Sequence, residues 1–450
     1  MTIVLLTTGS RGDTQPYVAL GLALKAEGHT VKVAASEGFQ DFIEAHGLTY
    51  ARVRGDVSKI ASSELTASAR KADNPLKFFT SMRNKALVAM LVAMHEDLHA
   101  ACDGADAVVY HPGAAVGYFA AKQMGVPSIL ASPFPIAPTS EYPALLFYTG
   151  PRLGPLYNRL THTIFALGFW MMIKGSLAQY WKNKHGRLPD GYGAPFRHQL
   201  TASHPTIVSC SPSVFPSPGA DSIRHRGGPG RTLAHHDGYW FLDAPTEYIP
   251  DPALQRFLGS GPPPVYVGFG SVGDAAAAAE TTRIVIDALR RVGTRALLAT
   301  GWSGMDVAAS HDPDAVHFIS DAPHAWLFPK VSVAVHHGGA GTTAAALRAG
   351  IPSVIVPHGN DQFAWGARVH ELGVGSNPVP RKRLTSERLA DAIEYCRRAD
   401  VRARSAALGE QIRSERGAEC SAEIVLEAIR RYAADRDERS TSRKRENAES

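Results

Sequence analysis

The chain has 450 residues, which is more than one compact core accommodates, so we expect two domains. Hydrophobic residues make up 44% and charged residues 20%, which excludes a disordered or fibrous protein. The net charge is +5, and the densest charge run, "RRYAADRDERSTSRKRENAES", ends the chain. Because both signs are mixed in it, this run favours a solvated tail over a nucleic-acid or membrane arm, and no nucleic-acid partner is predicted.

The chain opens with "TIVLLTT" and no basic region before it, which indicates a first strand and not a signal peptide. The longest apolar stretch, "TIFALGFWMMI", is followed by Lys174 and is too short to span a membrane. A buried or amphipathic helix and a weak membrane-surface contact both remain open for it. The four cysteines are widely separated and include no C-x-x-C pair, so neither disulfides nor a zinc site is expected. We predict a cytoplasmic monomer.

The first third alternates short apolar runs with helical segments. The runs are "TIVLLTT", "TVKVAA", "LTYARV", "DAVVYH" and "PSILAS". Helices are expected from Thr14 to Glu27, near Phe39 to His46 and around Ala115 to Met124. Continuous apolar strands separated by helices predict a parallel sheet covered on both faces.

The same alternation resumes after a stretch rich in proline and glycine between Ser211 and Asp251. Its apolar runs are "PVYVGFGS", "TRALLAT", "AVHFIS", "VSVAVHH" and "PSVIVPH", with helices from Ala276 to Arg291 and from about Thr342 to Ala349. A second doubly wound sheet is therefore predicted, with a ligand in the crevice between the two domains.

These patterns divide the chain into five parts. We expect an N-terminal acceptor-binding Rossmann-like domain (1–215), a linker region (216–250), a C-terminal Rossmann-like domain (251–415), a helix that packs back on the N-terminal domain (416–432) and a disordered charged tail (433–450).

An acid stands in the first strand's exit loop, within "TTGSRGDTQPYVALGLALKAEGH". Asp13 directly precedes the predicted helix, so it is interpreted either as a helix N-cap or as a catalytic base. Ligands of open α/β sheets bind beyond the carboxyl ends of strands, which is where this loop lies. The two roles do not exclude each other.

The stretch "VAVHHGGAGTTAAALRAGIPSVIVPHGNDQ" predicts a diphosphate site. An apolar strand leads into glycines that allow close backbone approach, and then into a helix whose N-terminus attracts anions. It matches neither common nucleotide-binding glycine motif, which points to a diphosphate ester other than ATP or NAD. The candidate diphosphate-binding residues are His336, Gly339, Gly341, Thr342 and Thr343. Asp361 and Gln362 follow the next strand and suit the hydroxyls of a sugar.

Other candidates are open to a structural interpretation as well. His111 follows the strand "DAVVY" and is either structural or an acceptor contact, and Trp302 in "ATGW" either stacks near a nucleotide or packs in the core. Phe147 and Phe169 suit a flat apolar acceptor. The D-x-D matches fall in a loop (312–314) and in the tail (435–437), so no metal is expected.

The segment from His336 to Gln362, with Ser271 in "VGFGS" and "APHAWLFPK" upstream, resembles the nucleotide-sugar signature of family 1 glycosyltransferases of the GT-B fold. The opening segment, "GYWFLD" and "PHAWLFPKVSVAVHHGGAGTT" resemble the sterol glucosyltransferases in particular, and the opening also resembles enzymes that glycosylate antibiotic aglycones. The resemblance implies an inverting, metal-independent sugar transfer with Asp13 as base.

The resemblance also assigns the remaining positions. By this resemblance, Ser271 and His336 belong to the diphosphate site, and Asp361 and Gln362 contact the sugar. The loop of Ala322, Pro323 and His324 lies around the nucleobase. Trp302, which the resemblance does not assign, is a candidate for the same nucleobase and ribose region. The position of the plant enzymes' ribose-binding glutamate is Ala344 here, so that contact is missing.

Together these observations predict transfer of a sugar, glucose in the first place, from a UDP-sugar to a hydroxyl of a hydrophobic acceptor, a sterol in the first place. No cofactor is expected beyond this co-substrate. A macrolide, polyketide or glycopeptide aglycone with a UDP- or dTDP-sugar is the first alternative. A UDP-sugar epimerase and a non-catalytic sugar-nucleotide sensor are the others.

Overall fold

The fold is described from a computed structural model of the chain. It describes residues 1–55, 84–195, 204–218, 234–243, 248–269, 275–300, 312, 314–320, 322–359 and 361–449, without the side chains of 275–278 and 439–449. Contacts divide the chain into two compact units. Unit 1 comprises Met1–Ala144, Arg152–Phe241 and Arg416–Ser450, and unit 2 comprises Leu145–Pro151 and Leu242–Glu415.

Unit 1 is built on a seven-stranded parallel sheet with the order β3-β2-β1-β4-β5-β6-β7. Its strands are β1 (Thr2–Leu6), β2 (Thr30–Ser36), β3 (Thr49–Val53), β4 (Ala107–Tyr110), β5 (Ser128–Ser132), β6 (Thr206–Val208) and β7 (Ala234–His236). The order reverses between β1 and β4, which creates a topological switch point at the carboxyl edge there. The central strands β1 and β4 are apolar and almost fully buried, as a sheet covered on both faces requires.

The helices of unit 1 begin with α1 (Arg11–Ala26), α2 (Gln40–Ala45), α3 (Lys85–Ala101), α4 (Val116–Met124) and α5 (Pro155–His185). Short 3₁₀ turns cover Glu37–Phe39 and Pro112–Ala114. Helix α3 packs against α5, and their apolar faces share one core with β1 and β4. No helix in the described part of the chain is long and apolar enough to cross a membrane.

Unit 2 repeats the plan with a five-stranded parallel sheet in the order β10-β9-β8-β11-β12. Its strands are β8 (Val265–Gly268), β9 (Ala296–Ala299), β10 (Val316–Ile319), β11 (Val333–His336) and β12 (Ser353–Ile355). Its helices are α6 (Pro252–Gly259), α7 (Ala275–Val292), α8 (His324–Leu327), α9 (Ala340–Ala349), α10 (Gln362–Glu371), α11 (Ser386–Arg397) and α12 (Ala399–Ser414). Here the strand order reverses between β8 and β11.

The last helix, α13 (Gly417–Glu449), belongs to unit 1 and packs against α1. The indole Nε1 of Trp240 donates to Ser421 Oγ at 2.8 Å. A Cβ at Gly417 would lie 2.4 Å from the carbonyl carbon of Gly238, so the helix start requires glycine. The sequence segment "GYWFLD" thus holds the C-terminal helix against unit 1.

The structure departs from the sequence-based expectations at several boundaries. The units divide after Phe241, inside the linker predicted for 216–250, and 145–151 belongs to unit 2 although it was placed in the N-terminal domain. Helix α13 continues to Glu449, whereas a disordered tail was predicted from 433. Charge composition predicted disorder there. The helix continues from residues 417–432, where mixed charges at i, i+3 and i, i+4 spacing, such as Glu427 with Arg430 and Arg431, support a solvated helix.

Candidate functional site

The switch point of the unit 1 sheet holds the first group of candidate residues. Leu6 of β1 pairs with Tyr110 of β4, so the loops after these strands leave the sheet side by side. Asp13 follows β1 and His111 follows β4. Thr8 Oγ1 lies 3.1 Å from His111 Nδ1, which ties the two loops together.

Asp13 lies inside the first turn of α1, because the helix begins at Arg11 with Ser10 as its N-cap and not at Thr14 as predicted. The Ser10 backbone N–H donates to Asp13 Oδ2 at 2.8 Å, and the Ser10 hydroxyl donates to the same oxygen at 3.0 Å. Among the residues that the structure describes, nothing donates to Oδ1. One carboxylate oxygen therefore caps the helix while the other stays available to a substrate.

Gly9 makes room for this carboxylate. Its φ is +119°, and a Cβ there would lie 2.3 Å from Asp13 Oδ2. A side chain at this position would be strained and would displace the carboxylate. Burial raises the pKa of Asp13 above its ordinary 3.8, against the opposing effect of the two hydrogen bonds from Ser10. A raised pKa makes the carboxylate a stronger base.

Asp13→Asn is expected to melt at a higher temperature than the wild type at pH 8. The pKa of Asp13 is higher in the folded than in the unfolded protein. The carboxyl group therefore stabilises the fold fully at pH values below its pKa in the unfolded protein. It loses that contribution as the pH rises through its pKa in the folded protein. The difference in melting temperature should shrink as pH falls towards 4, measured by differential scanning calorimetry. Asp41→Asn, at an exposed carboxylate in α2, is the control for the loss of one negative charge. A difference that is equal at both pH values would contradict the expectation.

His111 is a buried neutral imidazole. Its Nδ1 accepts the Gly113 N–H at 3.0 Å, so the ring proton lies on Nε2. Burial lowers the pKa of His111 to about 3. Nε2 is buried and makes no hydrogen bond with the described residues. His111 Nε2–H is thus a hydrogen-bond donor at the switch point that has no partner among the described residues. This is compatible with the predicted contact to the substrate that accepts the sugar.

One supporting residue, Tyr17, escaped the sequence analysis. Tyr17 is fully buried in α1, and its hydroxyl donates to the Ala131 carbonyl at 2.6 Å. Its ring contacts His111 and Trp240 at centroid distances of 6.1 and 6.0 Å. Helical spacing alone marks Tyr17 as a core residue, so its polar contact is visible only in the structure.

The switch point of the unit 2 sheet is occupied by His336, the last residue of β11. It pairs with Gly268 of β8 on one side and Ile355 of β12 on the other. Its Nδ1 accepts the Gly338 N–H at 3.1 Å, so Nε2 carries the proton, and Nε2 is buried with no partner among the described residues. Burial lowers the pKa of His336 well below 6.5, with smaller contributions from His337 and His324. The ring is a neutral donor.

The glycine turn that follows leads directly into helix α9. Gly338 has φ +90°, and a Cβ there would lie 2.7 Å from Ile355 Cγ2. Gly339 is the N-cap and contributes no side chain, so the amides of residues 340–342 have no capping group. The helix begins at Ala340 and not at Thr342, which brings Gly341 and Thr342 into the first turn. Free N–H groups and the positive end of the helix dipole are features that attract anions.

Thr343, a predicted diphosphate-binding residue, uses its hydroxyl within the turn. It is fully buried, and its hydroxyl donates to the Gly339 carbonyl at 2.9 Å. This places the hydroxyl proton inside the turn, where it stabilises the helix start and is not directed to a ligand.

Two more histidines surround this turn and were not predicted as site residues. His337 Nδ1 and His358 Nδ1 are buried without a partner among the described residues. Burial lowers the pKa of His337, and it lowers that of His358 to about 3, with smaller contributions from Arg381 and His337. The sequence could have indicated both residues. His337 in the doublet "HH" and His358 in "HGNDQ" each come after a strand that ends at this edge of the sheet.

Asp361 and Gln362 lie at the start of α10, after β12. Asp361 Oδ2 accepts the indole N–H of Trp365 at 3.0 Å. Gln362 Oε1 accepts the N–H groups of His358 and Gly359, at 2.8 and 3.3 Å. Its side-chain NH₂ donates to none of the described residues. The pair is therefore fixed in orientation, with a carboxylate and an amide donor at the same edge as His336.

The remaining nucleotide candidates follow β8, β9 and β10. Ala322 is buried, Pro323 caps the short helix α8, and the His324 ring stacks on Phe328 at a centroid distance of 4.3 Å. Ser271 and Trp302 lie outside the described residues. Ala344 is buried in α9 and bears no polar group for a ribose.

The two phenylalanines predicted to contact the acceptor lie in different units. Phe147 lies in the 3₁₀ turn Leu145–Phe147, which packs against α10 in unit 2. Phe169 lies in α5 and packs on the core of unit 1. The sequence analysis had placed both in the N-terminal domain, because it could not see that the segment 145–151 joins unit 2.

Within the described ranges, no three His, Cys, Asp or Glu side chains come together as a metal site would require. Asp312 uses its carboxylate to accept the backbone N–H groups of Asp314 and Ala315, as in an Asx turn. All four cysteines are free thiols.

Comparisons with known proteins show similarity to one class, the glycosyltransferases. Residues 3–143 match the glycosyltransferase family 28 N-terminal domain, and residues 283–430 match the C-terminal domain of erythromycin biosynthesis protein CIII-like proteins. The chain aligns with the kitacinnamycin glycotransferase at a TM-score of 0.66, 17% identity, and coverage of 95% of this chain and 99% of that one. It aligns with the glycosyltransferase VinC, solved with dTDP, at a TM-score of 0.62, 19% identity, and coverage of 96% and 100%. The predicted GT-B fold is confirmed by these solved structures.

Curated relatives refine the placement within that class. The chain is 34% identical over 456 residues to a sterol 3-beta-glucosyltransferase of Yarrowia lipolytica, covering 97% of this chain and 29% of the relative. It is 31% identical over 421 residues to one of Arabidopsis thaliana, covering 93% of this chain and 66% of the relative. The chain thus spans between about a third and two thirds of the length of these relatives.

Proposed function

We propose that the protein transfers glucose from UDP-glucose to a sterol hydroxyl with inversion at the anomeric carbon. The observation that carries this proposal is the set of chemical groups at the switch points of the two sheets. One presents a partly buried carboxylate with a raised pKa and an Oδ1 that no described residue contacts, and the other presents a neutral buried N–H donor beside an uncapped helix N-terminus. These are the groups that a general base and a diphosphate leaving-group site need. The sterol acceptor is supported by the names of the curated relatives.

In the proposed reaction, Asp13 Oδ1 takes the proton of the acceptor hydroxyl while its oxygen forms a bond to the anomeric carbon. The bond from that carbon to the diphosphate oxygen breaks, and its electron pair leaves with UDP. His336 Nε2–H and the first-turn amides of α9 donate to the diphosphate as its charge grows. Asp361 and Gln362 hold the sugar hydroxyls. This stabilisation requires no metal, and metal independence is part of the proposal.

An aglycone acceptor is the second candidate, because the C-terminal family model and the solved structures come from natural-product glycosylation. Mass spectrometry of products from UDP-glucose and dTDP-glucose, each with a sterol or a macrolactone, separates the two. We expect the mass of one hexosyl group to be added to the sterol with UDP-glucose, at a rate that EDTA does not change. Inversion at the anomeric carbon gives a β-linked product, which the coupling constant of the anomeric proton verifies. Glycosylation of the macrolactone alone, or conversion of the donor without acceptor, would contradict the proposal.

A further inference from the structure

Helix α5 presents an apolar face to solvent. Five large aliphatic side chains on it are between 39% and 83% exposed: Leu156, Leu160, Ile164, Leu167 and Met171. The neighbouring face of the helix carries Trp170, Ile173 and Leu177 into the core of unit 1. We call the five exposed residues the α5 stripe. Single exposed aliphatic residues are ordinary, but a contiguous row is a mark of an interaction surface.

The α5 stripe is narrow and straight. At about 100° per residue, its five members fall within an arc of about 80°. With a rise of about 1.5 Å per residue, Leu156 and Met171 are about 22 Å apart along the axis. Such a row suits a flat, extended apolar boundary.

The charge along the segment that contains the stripe is of one sign. From Tyr142 to Pro189 the sequence contains no aspartate or glutamate. Its charged residues are Arg152, Arg159, Lys174, Lys182, Lys184 and Arg187. Lys174 and Lys182 are exposed, and the helical spacing places both in the same arc as the stripe. A cationic row therefore continues the apolar row towards the C-terminal end of α5.

We propose that the α5 stripe docks on the surface of an anionic lipid bilayer, with α5 lying in the plane of the interface. The aliphatic side chains enter the boundary between headgroups and acyl chains, and the lysines contact lipid phosphates. A second copy of this chain would bring two cationic faces together, which disfavours that occupant. The docking needs neither donor nor acceptor, so it does not depend on the proposed function.

The test is sedimentation of the full chain with sucrose-loaded vesicles that contain no sterol. We compare phosphatidylcholine alone with phosphatidylcholine containing phosphatidylglycerol. Leu160→Gln/Leu167→Gln removes apolar area without changing charge, and Lys174→Gln/Lys182→Gln removes charge. Ile249→Gln is the matched control, since Ile249 is an exposed aliphatic residue in unit 2. Thermal melts verify that each variant is folded.

We expect the wild type to bind the anionic vesicles and to be released by high salt. The leucine variant should bind at least about tenfold more weakly, because partitioning scales with buried apolar area. The lysine variant should lose the preference for anionic lipid, and Ile249→Gln should bind as the wild type. Failure of the wild type to bind at low salt would overturn the proposal, as would undiminished binding of the leucine variant. It would also be overturned if the leucine variant lost transfer to a cyclodextrin-delivered acceptor, or if the wild type formed a dimer that this variant abolished.

Discussion

Asp13→Asn is expected to lower kcat for sugar transfer by about 10²- to 10⁴-fold, the range for removal of a general base. Asparagine keeps the shape of the side chain and can still accept the Ser10 N–H, so the start of α1 is retained. It cannot take a proton from the acceptor. The measurement is initial rate with UDP-glucose and a sterol, at saturating concentrations of both.

The affinity for UDP-glucose should be unchanged in this variant, because the donor contacts we assign lie in unit 2. Calorimetric titration is the control. Ser10→Ala removes only one of the two hydrogen bonds on Oδ2 and should have a much smaller effect on kcat. In the wild type, kcat/KM should rise with pH through the raised pKa of Asp13. Near-normal turnover of Asp13→Asn would refute the assignment of the base.

His336→Asn is expected to weaken UDP-glucose binding by about 10- to 100-fold. Asparagine can replace Nδ1 as the acceptor of the Gly338 N–H but has nothing at the position of Nε2. A hydrogen bond to a charged group contributes about 1.5–3 kcal/mol, which corresponds to that loss. Isothermal titration calorimetry measures it directly.

His336→Gln is the matched variant, because its amide NH₂ reaches the position of Nε2. It should retain more affinity than His336→Asn. Since the pKa of His336 is well below 6.5, the ring is neutral near pH 7, and wild-type affinity should not fall as pH rises from about 6 to 8. Equal affinities of the two variants, or a wild-type affinity lost through pH 6.5, would contradict a neutral Nε2–H donor.

The sequence was sufficient for the architecture and for part of each site. Period and composition predicted two parallel sheets, because strands buried on both faces are continuous apolar runs such as "TIVLL" and "VAVH". The glycine turn was predictable because a strand, glycines and a helix start in this order leave few conformations. Boundaries were less predictable. The start of α1 was assigned three residues late because Ser10 and Asp13 are both good caps, and only the backbone shows which one has cap geometry.

The sequence by itself determined the residue types at the strand ends: an acid after β1, a histidine after β4, and a histidine with glycines after β11. Only the tertiary structure decided their chemical state. Which oxygen of Asp13 caps α1 and which stays available depends on the contacts of Ser10, and its pKa depends on burial. Whether His336 is a cation or a neutral donor depends on the Gly338 N–H and on desolvation. These are long-range properties, because burial arises from strands and helices distant in sequence. The same reason explains why Trp240 and the α5 stripe were not predicted: one becomes a helix anchor and the other an exposed face only once the units have formed.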